Sequence, residues 1–177
     1  MKNIIVILVA VILSGCTGQY TKPLQGPTAK LRVTTKNNLV YSWVHTYKNT
    51  GCKNPVAMGA IGTSQFVKPA EHHQPIGMLG GKATVDPQVV EEIIPANSAF
   101  TILFTQIGPH TYGMVRGCNL PVTFFPEAGR QYEVLYDFDW KQCSVNISEL
   151  KENSGNQVTH TFVKVQKEEN SCSPFVF

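Results

Sequence analysis

The stretch RQYEVLYDFDW, residues 130–140, decides the fold. Tyr132, Val134, Tyr136, Phe138 and Trp140 fall on one face of an extended chain. Gln131, Glu133, Asp137 and Asp139 fall on the other. Successive side chains of a strand point to opposite sides, so this alternation marks a half-buried strand.

The same period runs outward in both directions. Downstream, QCSVNISEL (142–150) puts Cys143, Val145 and Ile147 on one side, and QVTHTFVKVQ (157–166) closes the series. Upstream, SAFTILFTQ (98–106) aligns Phe100, Ile102 and Phe104, while KLRVTTK (30–36) and NLVYSWVHTY (38–47) alternate as well. Turn residues separate the runs, which reads as antiparallel strands. DPQVVEEII (86–94) fits a helix with proline in its first turn, and equally a strand leading into PANSAF. Seven to nine short strands of this kind predict an all-β antiparallel sandwich.

FPEAGRQYEVLYDF (125–138) sets a proline and glycine turn before Tyr132 at a strand start. It resembles the tyrosine corner of immunoglobulin-like and fibronectin-like sandwiches. The resemblance implies that the Tyr132 hydroxyl turns back onto upstream backbone while its ring fills the core. IPANSAFTILF (94–104) and FPEAGRQYEVLYDFDWKQCSVNISEL (125–150) also resemble segments of proteobacterial envelope lipoproteins of uncharacterised activity.

The chain opens MKNIIVILVAVILSGC. One positive charge, Lys2, precedes an apolar run from Ile4 to Leu13. That run is shorter than the roughly 20 residues of a membrane-spanning helix, and reads as a secretory signal. Leu13-Ser14-Gly15-Cys16 resembles the lipobox of bacterial lipoproteins. It implies cleavage before Cys16, diacylglyceryl transfer to the Cys16 thiolate, and acylation, as with palmitate, of the new amino terminus. Thr17 stands where an aspartate would resemble an inner-membrane retention signal. The expected location is therefore the outer membrane, lipid-anchored and facing the periplasm or the cell surface. Residues 1–15 are read as signal peptide, 16–29 as an acylated tether with two prolines and two glycines at 17–29, and 30–177 as the sandwich domain.

Removing residues 1–15 leaves 162 residues, with fourteen lysines and arginines against twelve acidic residues. This near-neutral balance, with no basic cluster, argues against a nucleic-acid partner. Cys52, Cys118, Cys143 and Cys172 remain, an even number that reads as two disulfides in an exported chain. Their spacing has no C-x₂-C pair, which disfavours zinc. Strands near 119–125, 131–140 and 143–150 read as an up-down-up meander, so Cys118 and Cys143 lie at one end. Next-but-one strands of one sheet are about 9.5 Å apart, too far for a disulfide without loop slack or two facing sheets. The expected pairs are Cys118–Cys143 and, by elimination, Cys52–Cys172.

Catalytic signatures are weak. No G-x-S-x-G elbow or H-E-x-x-H helix occurs, and GMLGGKAT (77–84) lacks the spacing and the hydroxyl of a phosphate loop, so it reads as a turn. Glu71, His72 and His73 are metal-ligating residue types. Adjacent side chains of an extended segment point apart, however, and a solvated loop is the simpler reading, with no metal or cofactor expected. His110 falls in a turn, and His45 and His160 fall within strand patterns as partly buried, satisfied histidines. Glu133, Asp137 and Asp139 read as a solvated polar face. Residues 68–88 lack periodicity. A long irregular loop on a sandwich is where binding is expected, which makes Glu71, His72 and His73 candidate loop residues.

The sequence thus points to a non-enzymatic envelope lipoprotein: a protein-binding or structural module that contacts another envelope protein through loops or a strand edge. An inhibitor or immunity-type protein against a periplasmic hydrolase or toxin is one alternative. A metal-binding protein or enzyme is the other.

Overall fold

The computed structural model describes residues 18–36, 41–47, 54–62, 75–81, 89–106, 118–138 and 142–167. The strands are β1 (Thr28–Thr35), β2 (Ser42–Tyr47), β3 (Pro55–Ile61), β4 (Val90–Pro95), β5 (Phe100–Gln106), β6 (Cys118–Phe124), β7 (Gln131–Phe138), β8 (Cys143–Glu152), β9 (Val158–Phe162) and the two-residue β10 (Gln166–Lys167). The first sheet has the order β4-β1-β7-β8-β9, and the second β10-β6-β5-β2-β3. The expected all-β sandwich is the observed architecture. Among the described residues every strand pair is antiparallel except β1 with β7, which runs parallel.

The alternation of residues 131–138 does what it predicts. Tyr132, Val134, Tyr136 and Phe138 are buried, and the residues between them face outward. Leu31 and Val33 of β1, Ile102 and Phe104 of β5 and Ile147 of β8 complete the inter-sheet core. Phe104 stacks on Tyr136 with ring centroids 4.7 Å apart. The Tyr136 hydroxyl donates to Gln106 Oε1 at 2.9 Å, and burial pushes its pKa up to about 12. The tyrosine corner forms: the Glu127 N–H donates to the Tyr132 hydroxyl oxygen at 2.9 Å. The segment that fitted helix or strand is strand from Val90 to Pro95.

The meander is corrected. β7 and β8 pair, but β6 lies in the opposite sheet beside β5. Cys118 opens β6 and Cys143 opens β8, so their disulfide joins the two sheets, with Cα atoms 6.3 Å apart. Alternation shows which residues face the core but not which sheet a strand enters, since both sheets face the same core. Cys52 and Cys172 lie outside the described residues.

The start of the domain also shifts. β1 begins at Thr28, two residues before the boundary read from sequence. Part of the segment read as tether is fixed to the sandwich. The Ala57 N–H donates to Gly18 O at 2.9 Å, Tyr20 N–H donates to Ala57 O at 2.8 Å, and the Tyr20 hydroxyl donates to Ile93 O at 2.9 Å. Tyr20 therefore bridges β3 of one sheet to β4 of the other, and burial raises its pKa.

Candidate functional site

The outward face of the first sheet carries a polar row. Glu91 of β4, Arg32 of β1, Glu133 of β7, Ser148 of β8 and Phe162 of β9 stand in register across five strands. Arg32 Nε donates to Glu91 Oε1 at 2.8 Å, and Nη1 reaches Glu133 Oε2 at 3.3 Å and Leu79 O at 2.9 Å. A guanidinium holds several planar donors, which suits it to bind two carboxylates and a carbonyl at once.

Residues 75–81 lie over this row as a strap. The Ile76 N–H donates to Glu91 Oε2 at 2.9 Å, Lys30 Nζ donates to Ile76 O and Gly77 O at 3.0 Å each, and the Leu79 N–H donates to Gln131 Oε1 at 2.8 Å. The strap has no ladder of its own, and side chains of the sheet satisfy its backbone instead. Gly81 passes so close to Arg32 that a Cβ there would stand 2.5 Å from Nη2. This is the described part of the loop expected to carry binding residues. It is fastened to the sheet, whereas Glu71, His72 and His73 lie outside the described residues, as do Cys16, His110 and Asp139.

Two of the three carboxylates read as a solvated face, Glu133 and Asp137, stand beside basic side chains. Glu133 faces Arg32 and His160, and Asp137 faces Lys36 at 3.3 Å. His160 is half exposed, with Nδ1 3.2 Å from Ser148 Oγ and 3.7 Å from Glu133 Oε1. Serine, histidine and glutamate therefore meet, but not as a catalytic triad. A triad needs one ring nitrogen on the hydroxyl and the other on the acid. Here Nδ1 faces both groups, and Arg32 already holds Glu133.

His45 departs from the satisfied histidine expected. It is half buried on β2, its Nδ1 has no hydrogen-bond partner among the described residues, and burial lowers its pKa. Among the described residues no three His, Cys, Asp or Glu side chains cluster to hold a metal ion.

The two lateral edges of the sandwich differ. The β3/β4 edge is closed by Gly18–Tyr20, and a groove of about 470 Å³ lies beside it, lined by Tyr20, Tyr47, Val56, Phe100 and Thr101 among others. Burial pushes the Tyr47 pKa up to about 12. The opposite edge is β9, which among the described residues pairs only with β8. The bonds from Val163 N to Ile147 O and from Asn153 N to Gln157 O fix the phase of this ladder. Hydrogen-bonded pairs alternate along an antiparallel ladder. Thr159 and Thr161 therefore turn their backbone groups to β8, and Val158, His160 and Phe162 turn theirs outward. Phe162 is 79 % exposed.

No family model, curated protein or solved structure matches this chain. The site is thus read from its own geometry. Arg32 and the β9 edge escaped the sequence reading. Arg32 stood in KLRVTTK as one more outward polar residue, and its acidic partners are 59 and 101 residues away. The alternation in QVTHTFVKVQ marked a strand without marking it as an edge.

Proposed function

We propose that this protein is an outer-membrane-anchored envelope lipoprotein that works as a protein-binding module by strand addition at β9. The observation that carries the binding reading is the β9 edge itself. An edge strand presents a row of N–H and C=O groups that an extended segment of another chain can complete. Val158, His160 and Phe162 supply that row, and Phe162 adds an apolar contact beside it. The strap and the Arg32 network hold the sheet behind this edge, so little ordering is needed on binding. The sequence Leu13-Ser14-Gly15-Cys16 supports the anchor.

Two measurements test the proposal. Mass spectrometry of the amino-terminal peptide from membrane-extracted protein is expected to show an acylated Cys16, and C16S is expected to leave the membrane fraction. An unmodified Cys16 overturns the anchor. For binding, a benzophenone side chain at position 162 is expected to give a discrete adduct with one envelope protein in cells. His160→Pro removes an outward N–H without touching the β8 ladder, a placement that edge strands accept. His160→Ala, which also loses the Ser148 contact but keeps the N–H, is expected to retain the adduct, and His160→Pro to abolish it. An adduct that survives His160→Pro overturns strand addition.

A further inference from the structure

We infer that the end of the sandwich bearing Leu24 and Phe125 rests directly on the lipid bilayer. This inference builds on the anchorage proposed at Cys16. Gln19 bridges Ala57 in parallel with β3, and that bridge fixes the direction of the chain. Gly18 therefore enters the bridge from the side of the Pro55 end of β3. Gly18 is itself held by the Ala57 N–H. Two residues of extended chain span at most about 7 Å. An acylated Cys16 therefore keeps this end of the domain at the headgroups and cannot hold it away on a tether.

The same end gathers the segment before β1, the β4–β5 turn and the β6–β7 turn. Ala96 N–H donates to Pro27 O at 2.9 Å and Asn97 N–H donates to Pro126 O at 2.7 Å. These three segments display Leu24, 89 % exposed, and Phe125, 58 % exposed. Lys22 is exposed near Leu24, where a cation suits lipid phosphates. Among the described residues, the other exposed large apolar side chains lie elsewhere. Trp43 sits at the opposite end, near Ile61, and Phe162 is on the outward face opposite Ser148, at the middle of β8. Apolar side chains that meet water in the isolated domain would thus lie against lipid at the one end that the anchor brings to the membrane.

The test places an environment-sensitive fluorescent amino acid at position 24, 125, 43 or 162 of the full-length, membrane-extracted protein. Each preparation is reconstituted in phosphatidylethanolamine and phosphatidylglycerol vesicles containing brominated lipid. Blue-shifted emission and severalfold stronger quenching are expected at 24 and 125 than at 43 and 162. Equal quenching at all four positions, with Cys16 acylated by mass, overturns this inference alone. An unmodified Cys16 overturns both the anchor and the docking.

Discussion

Arg32 and Glu91 meet at 2.8 Å on the outward face of the first sheet, with side chains only 7 % and 10 % exposed. Removing one partner of such a pair leaves the other charge unpaired in a poorly solvated place. Arg32→Ala strands Glu91 and frees the Leu79 carbonyl of the strap. The expected loss is about 3 kcal/mol by urea denaturation, with faster proteolysis within residues 75–81.

Gly81→Ala tests the strap from the other side. Its Cβ would collide with Arg32 Nη2, an atom fixed by the bonds the rest of the guanidinium makes. The expected result is a loss of about 1–3 kcal/mol. Pairing it with Arg32→Ala is expected to give less than the sum of the two losses, read by a double-mutant cycle.

The disulfide between β6 and β8 closes a separation of 25 residues. In the chain-entropy account such a loop stabilises by about 3.5 kcal/mol. The double variant Cys118→Ala, Cys143→Ala is expected to lose about that much in chemical denaturation. Because the bond joins sheets and not neighbouring strands, the loss should come with weaker hydrogen-exchange protection in both β6 and β8.

The tyrosine corner predicts a smaller effect. Tyr132→Phe keeps the ring in the core and removes the acceptor of the Glu127 N–H. A loss of about 1 kcal/mol in thermal or urea denaturation is expected.

Two half-buried groups predict opposite responses to pH. Burial lowers the His45 pKa, so the unfolded chain takes up a proton that the folded chain refuses. Its contribution to stability is full above the ordinary histidine range and falls as pH drops below about 6.5. His45→Gln should flatten that decline between about pH 7.5 and pH 5.5. Glu92 is raised by burial, with Lys22 opposing. Its charge is unfavourable at neutral pH, and the cost is relieved as pH falls toward the ordinary glutamate value. Glu92→Gln should raise the melting temperature at pH 7, with the gain vanishing near about pH 4.

The strands were legible because their signal is local. Alternation in residues 131–138 names the core side chains one by one, and the turn before Tyr132 names the corner. The route of β6 into the second sheet was not legible, because identical alternation suits either sheet. Nor was the strap: residues 75–81 have no periodicity, since their order comes from Lys30, Glu91 and Gln131 on distant strands. The Arg32 network is hidden for the same reason. Its acids lie on two other strands, and only the register of the sheet brings them together.

The parallel pairing of β1 with β7 has a temporal consequence. Arg32 stands opposite Glu133, a partner 101 residues later in the chain. The centre of the first sheet cannot assemble until most of the polypeptide has been made, and contacts of such long range are slow to close. β4 can cover one side of β1 once residue 95 has been made, but the other side stays open until β7 follows. The last third of the chain thus supplies the strand that closes the middle of the first sheet.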